Sequence, residues 1–470
     1  MNLYNSLTNE PQEVKPIIDK LVKIYSCGPT VYDDVHIGNL SSFIYADSLA
    51  RVIRLDHEVK HVMNITDVDD KTINRSQELY PDLEPKQALS KLTKVYEEKF
   101  KSDISRLNIN PGNYTFINAT ASIEIMQNLI VKLLDNKFAY LSDDGIYFSI
   151  SKYRASGKKY GKLIKLDQLE EDTMQSRIDN DEYDKQTIHD FALWKFKKDN
   201  EPSWEFIIEG QDYPGRPGWH IECSAMSTSL LGQPFDIHTG GVDLKFPHHE
   251  NEIAQSTSIH SEEYLAKIFF HNEHLLNNNQ KMSKSLNNFL TLDDITRHID
   301  DAVAFRLLVL QSNYKNQSEF SIDNLKAANN RLNSYKNFAV LRYQLDKDNQ
   351  FKELNFNKIT DEIISSMKND LDSPKALSDL SVFINSTDNS LINNNQSEEL
   401  NNFLKLIDEI FGFGLLNIKD LWELQKSKLD KRLEKRQKKD WTASDSIRDE
   451  LFSEGIGIID TDKQQIWFRL

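Results

Sequence analysis

The chain has 470 residues, of which 39% are hydrophobic and 28% charged, with 24 Phe, 17 Tyr and 6 Trp. That supply of apolar side chains excludes wholesale disorder, and at ~100–200 residues per domain the length fits two to four domains. The net charge of −16 argues against a basic, sequence-blind polyanion binder, two cysteines cannot form a disulfide framework, and no apolar run approaches the ~18 residues of a membrane span. The opening residues, Met1 to Glu10, lack a basic segment leading into an apolar one, so no secretory signal is expected and the chain reads as cytoplasmic.

Residues 21–25 read as a strand, with a turn at Cys27-Gly28-Pro29. A helical pattern begins near Gly38, where Leu40, Phe43, Ile44, Ala50 and Ile53 share a face. A second strand, 59–65, runs into the acidic cluster Asp67, Asp69 and Asp70. Strand, turn, helix, strand is the opening of a parallel α/β sheet, whose ligands sit at the carboxyl ends of the strands; Cys27 and Thr66 fall there. Between them, His36-Ile37-Gly38-Asn39 leads into the helix. Backbone N–H groups at a helix start approach a phosphate most closely beside a glycine, and an imidazole there can donate to the same anion. Residues 118–215 are mixed, with a polar, turn-rich run at 152–162 and a charged stretch at 170–187, and read as an insertion. Gly157–Leu163 has the wrong spacing for a Walker A loop and lacks its Ser/Thr.

Past the insertion, Gly218–Cys223 follows a Pro/Gly-rich loop and opens a helix that puts Trp219 and Cys223 on one face. In Pro247–Glu252 the proline suits a first helical turn, which makes His248 and Glu252 i,i+4 neighbours able to grip one ion. Two thiolates, an imidazole and a carboxylate would make a tetrahedral zinc site; spacing alone does not support it, since Cys27 and Cys223 are 196 residues apart. Lys281-Met282-Ser283-Lys284-Ser285 is a stronger signal, with chance odds of roughly one in several thousand. Its two ammonium groups suit neutralisation of charge moving onto departing pyrophosphate. Residues 313–410 are helix-like, broken at Asn393–Asn395. The run 426–439 holds eight Lys/Arg against Asp430 and Glu434, which taken alone reads as a solvated helix with i,i+4 charge pairs. No internal repeat is found.

His36–Asn39 followed, 245 residues on from His36, by Lys281–Ser285 is similar to the paired signatures of class I aminoacyl-tRNA synthetases. The chain closely resembles the cysteinyl-tRNA synthetases, in Tyr25–Asp33, Asn64–Lys71, Asp190–Trp194, Gly215–Ser227 and Phe246–Gln255. The resemblance implies an α/β fold: a Rossmann-type parallel-sheet catalytic domain with an insertion, then an α-helical bundle and a small C-terminal anticodon-binding domain. The implied boundaries are 1–117 and 216–275 for the catalytic halves, 118–215 for the insertion, 276–312 for a stem-contact region, 313–410 for the bundle and 411–470 for the anticodon end. One Zn²⁺ is implied at Cys27, Cys223, His248 and Glu252, with Gly28, Thr66, Trp219 and His238 contacting cysteine. ATP, with Mg²⁺, is implied to meet His36, Gly38, Asn39, Asp243, Lys281 and Lys284, among which His36, Lys281 and Lys284 are catalytic. Arg436, Trp441 and Asp445 would read the anticodon, which turns the basic run into a tRNA contact; the alternative is that Trp441 anchors a small core.

The implied activity is ATP-dependent ligation of L-cysteine to tRNA(Cys) through cysteinyl-adenylate, by a monomer with no membrane partner, zinc discriminating against serine. Two rivals are a paralogous ligase acting on a sugar amine, which needs no anticodon domain, and a catalytically dead RNA binder, which needs neither Lys281–Ser285 nor four zinc ligands. Departures from the family pattern are Asn39 in place of histidine, Thr239 within a glycine run, Asn287 in place of glycine, the stretch Glu205–Tyr213, and the loosely matching 301–310.

Overall fold

Val22, Ile24 and Tyr25 are fully buried in the strand Leu21–Ser26 (β1), as befits a central strand covered on both faces. The computed structural model describes residues 1–164, 190–260, 263–282, 288–387, 390–460 and 465–470. In it β1 lies in the middle of a five-stranded parallel sheet with Glu58–Ile65 (β2), Tyr114–Asn118 (β3), Phe235–Gly241 (β4) and Ala266–Asn272 (β5), in the order β5-β4-β1-β2-β3. Ile24 faces His61 on one side and Ile237 on the other, all in parallel register. The winding reverses between β1 and β4, and the crevice beyond the carboxyl ends at such a switch point is where open α/β sheets take ligands. The helix Ile37–Ile53 (α1) follows β1, one residue earlier than the apolar pattern alone indicates, with His36 as its N-cap.

The insertion has its own small core. Strands Ala139–Leu141, Gly145–Phe148, Phe191–Phe196 and Gly215–Pro217 form an antiparallel sheet. The helix Ile123–Asp135 (α2) supplies Met126, Ile130 and Leu133 to the same cluster as Phe148 and Trp194. The polar run 152–162 opens inside a short helix, Ile150–Ala155, with Tyr153 buried, rather than as a turn. The charged stretch 170–187 lies outside the described residues. The chain then returns to the large sheet through Trp219–Leu231 (α3), β4, Glu250–Ile259 (α4) and β5.

Contacts divide the chain into two compact units, Met1–Asp294 with Tyr314–Glu319, and Ile295–Asn313 with Phe320–Leu470. The stretch 276–312 therefore falls across both. The second unit is helical: Val303–Leu310, Ile322–Ala339, Phe356–Lys368, Ser373–Asn385 and Ser397–Phe411. Every residue of Val303–Leu310 is buried, including Arg306, whose Nε donates to the Phe411 carbonyl at 2.5 Å. At the C-terminal end, Glu423–Gln437 and Trp441–Ser453 pack with the hairpin Ile456–Asp460/Gln465–Arg469 around Leu429, Leu451, Ile456 and Trp467. No described helix is long and apolar enough to cross a membrane.

Candidate functional site

Three elements converge at the switch point. Cys27 is the first residue past β1, Cys223 lies one turn into α3, and His248 and Glu252 stand i,i+4 across the start of α4. One ligand atom from each falls within 4.8 Å of all the others. The spacings test the zinc reading directly. Bonds of ~2.3 Å to sulfur in a tetrahedron hold two thiolates about 3.8 Å apart, and bonds of ~2.0–2.1 Å to nitrogen and oxygen hold those about 3.4 Å apart. The Cys27 and Cys223 sulfurs are 3.8 Å apart, and His248 Nε2 is 3.1 Å from Glu252 Oε1. That nitrogen makes no hydrogen bond despite being fully buried. The donor set fits the ion.

The neighbours orient these donors. His220 Nδ1 lies 3.0 Å from His248 Nδ1, and the Trp219 indole stacks on the His248 ring at 4.1 Å, so His248 is left with Nε2 towards the cluster. His238, expected to touch substrate, lies with Nε2 2.9 Å from Glu252 Oε2, a contact that orients that carboxylate. His249 sits 3.3 Å from the Cys27 sulfur and 2.8 Å from His271, and Cys27, His238, His249 and Glu252 form a second group of four with the same compactness. Gly240 makes room for His249, since a Cβ there would lie 2.8 Å from its ring. Burial pushes both thiols up, with each other's proximity adding to it for Cys27, and presses the His248, His249 and His271 imidazoles well below their ordinary range. Neutral imidazoles are ready ligands, and a dication reverses the sign of the effect on the thiols.

Beside the cluster runs a chain of hydrogen bonds. Gly28 N–H donates to Asn64 Oδ1 at 2.8 Å, Asn64 Nδ2 donates to Thr66 Oγ1 at 3.0 Å, and Thr66 Oγ1 donates to Glu222 Oε2 at 3.1 Å. Gly28 is dictated by this approach, because a Cβ would lie 1.8 Å from the Asn64 carbonyl oxygen. Burial pushes the Glu222 carboxyl well up, with Asp69 and Asp67 adding to it. Asn64 and Glu222 carry no functional signal in the sequence; an acidic residue beside Cys223 on a helix acquires its meaning only when β2 is laid against α3.

The nucleotide side lies at the carboxyl ends of the same sheet. The Asn39 N–H donates to His36 Nδ1 at 3.2 Å, which leaves the ring proton on Nε2. A Cβ on Gly38 would press to 3.0 Å from the same nitrogen. Asn39 itself is exposed. Lys281 Nζ pairs with Asp243 Oδ2 at 2.9 Å. Burial opposes ionisation of Asp243, but Lys281 and His274 outweigh it and hold the carboxyl below its usual range. Lys284 and Asn287 lie outside the described residues. Thr239, in the glycine run, is buried and shares a hydrogen bond of 2.6 Å with Ser26.

In the second unit, Trp441 is 53% exposed and the Arg436 guanidinium stands 5.4 Å from its ring centre, so Trp441 is no core anchor. Asp445 pairs with Arg448 at 3.3 Å. The basic run is a helix, but its charge pairs mostly leave it: Lys426 reaches Asp420, Lys428 reaches Glu450 and Glu454, Lys435 reaches Asp440 and Arg436 reaches Asp460, while Lys438 alone pairs i,i+4, with Glu434. Arg432 is fully buried, with both terminal nitrogens 2.8 Å from Asp460. It is structural and unavailable to a phosphate.

Residues 13–330 match the family described as tRNA synthetases class I (C) catalytic domain. A cysteine–tRNA ligase of Leptospira interrogans is 37% identical over 484 residues, covering 99% of each chain. One of Brachyspira hyodysenteriae is 38% identical over 485 residues, covering 99% of this chain and 98% of the relative. Among solved structures, Mycobacterium tuberculosis methionyl-tRNA synthetase in complex with methionyl-adenylate is similar with a TM-score of 0.59 at 14% identity, over 85% of this chain and 93% of that one. The Agrobacterium radiobacter K84 LeuRS–tRNA–LeuAMS ternary complex is similar with a TM-score of 0.59 at 10% identity, over 87% of each. At such identities the structures speak to fold alone.

Proposed function

The chain belongs to the cysteine–tRNA ligases, enzymes of the class I tRNA synthetase family, and from that premise we propose how its residues divide the work. A pocket acting by shape alone separates cysteine from its near-isostere serine by only ~1–3 kcal/mol. Cys27, Cys223, His248 and Glu252 would hold Zn²⁺, which supplies a soft Lewis acid that takes a thiolate in preference to a serine hydroxyl. Thr66 and Trp219 line the place where the rest of the amino acid lies, with Gly28 allowing close approach.

ATP enters between the start of α1 and the end of β4. His36 directs its Nε2–H at the phosphates alongside the first N–H groups of α1, Gly38 keeps that approach open, and Asn39 adds an amide donor. A carboxylate oxygen of cysteine attacks the α-phosphorus and the bond to pyrophosphate breaks, giving cysteinyl-adenylate. Lys281, steadied by Asp243, and Lys284 neutralise the charge growing on the leaving group, with Mg²⁺ accompanying the nucleotide. A ribose hydroxyl of the terminal adenosine of tRNA(Cys) then attacks the cysteinyl carbonyl and AMP departs. Arg436 and Asp445 offer a donor and an acceptor to anticodon bases, and Trp441 offers a face for stacking.

The observation that carries this reading is the four-atom donor set at tetrahedral spacings beside the sheet's switch point. Purified protein should contain about one zinc per chain, catalyse ATP–pyrophosphate exchange with cysteine but not with serine, and charge tRNA(Cys). Full discrimination against serine by zinc-free protein would overturn it.

A further inference from the structure

Asp67, Asp69 and Asp70 follow Thr66 in the chain and Glu222 bonds it, and the first three are already occupied. Asp67 takes the Thr120 N–H at 2.8 Å and the Thr120 hydroxyl and Asn118 amide besides. Asp69 caps the helix Asp70–Leu79 through the N–H groups of Lys71 and Thr72. Asp70 is bound by Lys195 and Arg216. Glu222 differs: it is fully buried, its Oε2 receives Thr66, and its Oε1 has no hydrogen-bond partner.

The direction of the hydrogen-bond chain fixes what can fill that position. The Gly28 N–H sets Asn64 with its oxygen towards the turn and its amide nitrogen towards Thr66. Thr66, having accepted, spends its one proton on Glu222. The donors thus run towards Glu222 and stop there, with its Oε1 left over. A ligand completing it at the free Oε1 must bring a donor, and among the described residues no Lys or Arg side chain forms an ion pair with Glu222, which leaves the place open to a charged donor. The location narrows the choice further. Glu222 adjoins Cys223 and lies three residues after Trp219 on α3, and the α-nitrogen of cysteine is only three bonds from its sulfur.

We infer that the free oxygen of Glu222 receives the α-ammonium group of the substrate, making Glu222 a specificity-determining residue for amino acids over other thiols. This rests on the reading above that the substrate thiol is held at Cys27, Cys223, His248 and Glu252.

The probe is 3-mercaptopropionate, which keeps the thiol and carboxylate of cysteine and lacks the ammonium. Calorimetric titration of the full-length zinc-loaded protein with L-cysteine and with 3-mercaptopropionate, in wild type and Glu222→Gln, measures both affinities, with zinc content determined for each sample. Wild type should favour L-cysteine by about tenfold to a hundredfold, the range for a hydrogen bond to a charged group. Glu222→Gln should lose most of that preference by weakening L-cysteine alone, with zinc content unchanged. Equal affinities in wild type, equal weakening of both ligands by Glu222→Gln, or loss of zinc from that variant would each overturn the assignment. Because wild type alone supplies the first comparison, a variant that failed to fold would not shield the idea. Failure of wild-type protein to bind either thiol in a zinc-dependent way would instead bring down the thiol-site reading beneath it.

Discussion

Cys223 is buried in α3 with its sulfur turned to the cluster, so replacing it by alanine, the best helix former, removes a donor without weakening the helix. Cys223→Ala should therefore stay folded and lose most of its zinc, checked by metal analysis after gel filtration; full occupancy with unchanged cysteine affinity would remove Cys223 from the site. A second residue-scale expectation concerns His61, which bonds Ser26 at 2.7 Å, lies against Tyr114, and is pushed down to about 3 by burial first and the nearby Arg54 second, against the pull of Asp47. In the unfolded chain an imidazole takes its proton near 6.5, so between the two values only the unfolded state binds it. His61 thus contributes fully above about pH 6.5 and its contribution, at most about 5 kcal/mol, is lost as the pH falls towards 3. Urea midpoints followed from pH 7.5 to 4.5 should drop, and drop less steeply in His61→Gln. His248 and Glu252 could be paired because four residues along a helix is a fixed spacing, whereas His220, His249, Asn64 and Glu222 take their meaning from elements far away in the chain. Thr239, a departure within a glycine run, is half of a buried hydrogen bond with Ser26.

Among elements, β1, α1 and β2 match the sequence reading to within a residue or so, because a central parallel strand and a buried helix both write long apolar patterns. The short hairpins do not. Asn2–Asn5 with Glu10–Glu13, and the C-terminal Ile456–Asp460 with Gln465–Arg469, carry too few residues to show a period. Gly457 is intelligible only once its partner is known: it faces Phe468, whose ring occupies the space a Cβ would need. The basic helix Glu423–Gln437 divides its cations between two tasks, and two substitutions separate them. Asp460→Ala strands the buried Arg432 guanidinium and should lower stability by about 3 kcal/mol, the low end for breaking a buried pair since Asp460 is partly exposed. Trp441→Ala removes an exposed ring and should leave the melting temperature nearly unchanged while weakening tRNA charging by ~1–3 kcal/mol, with pyrophosphate exchange intact. A melting-temperature loss in Trp441→Ala as large as in Asp460→Ala would return Trp441 to the core.

At the scale of the molecule, two compact units with separate cores predict more than one calorimetric transition. Among the described residues the groups able to hold a metal lie in the unit containing Cys27, Cys223, His248 and Glu252, so under the proposed zinc site a chelator should lower one transition and leave the other in place. A single transition shifted as a whole would refute that separation. The pairing of β1 with β4 has a further consequence, in time rather than in space. Ile24 meets Ile237 across 213 residues of chain, with the whole insertion between them. At the ~5–20 residues per second of synthesis, about 10–40 s pass between the emergence of one strand and the other. Throughout that interval β1, β2 and β3 can form only a three-stranded sheet with an open parallel edge along Leu21–Ser26, the side on which β4 will later lie. The nascent chain therefore passes through a sticky half-sheet on every round of synthesis, and Cys27 waits across the same gap for Cys223, His248 and Glu252, its partners in the proposed zinc site.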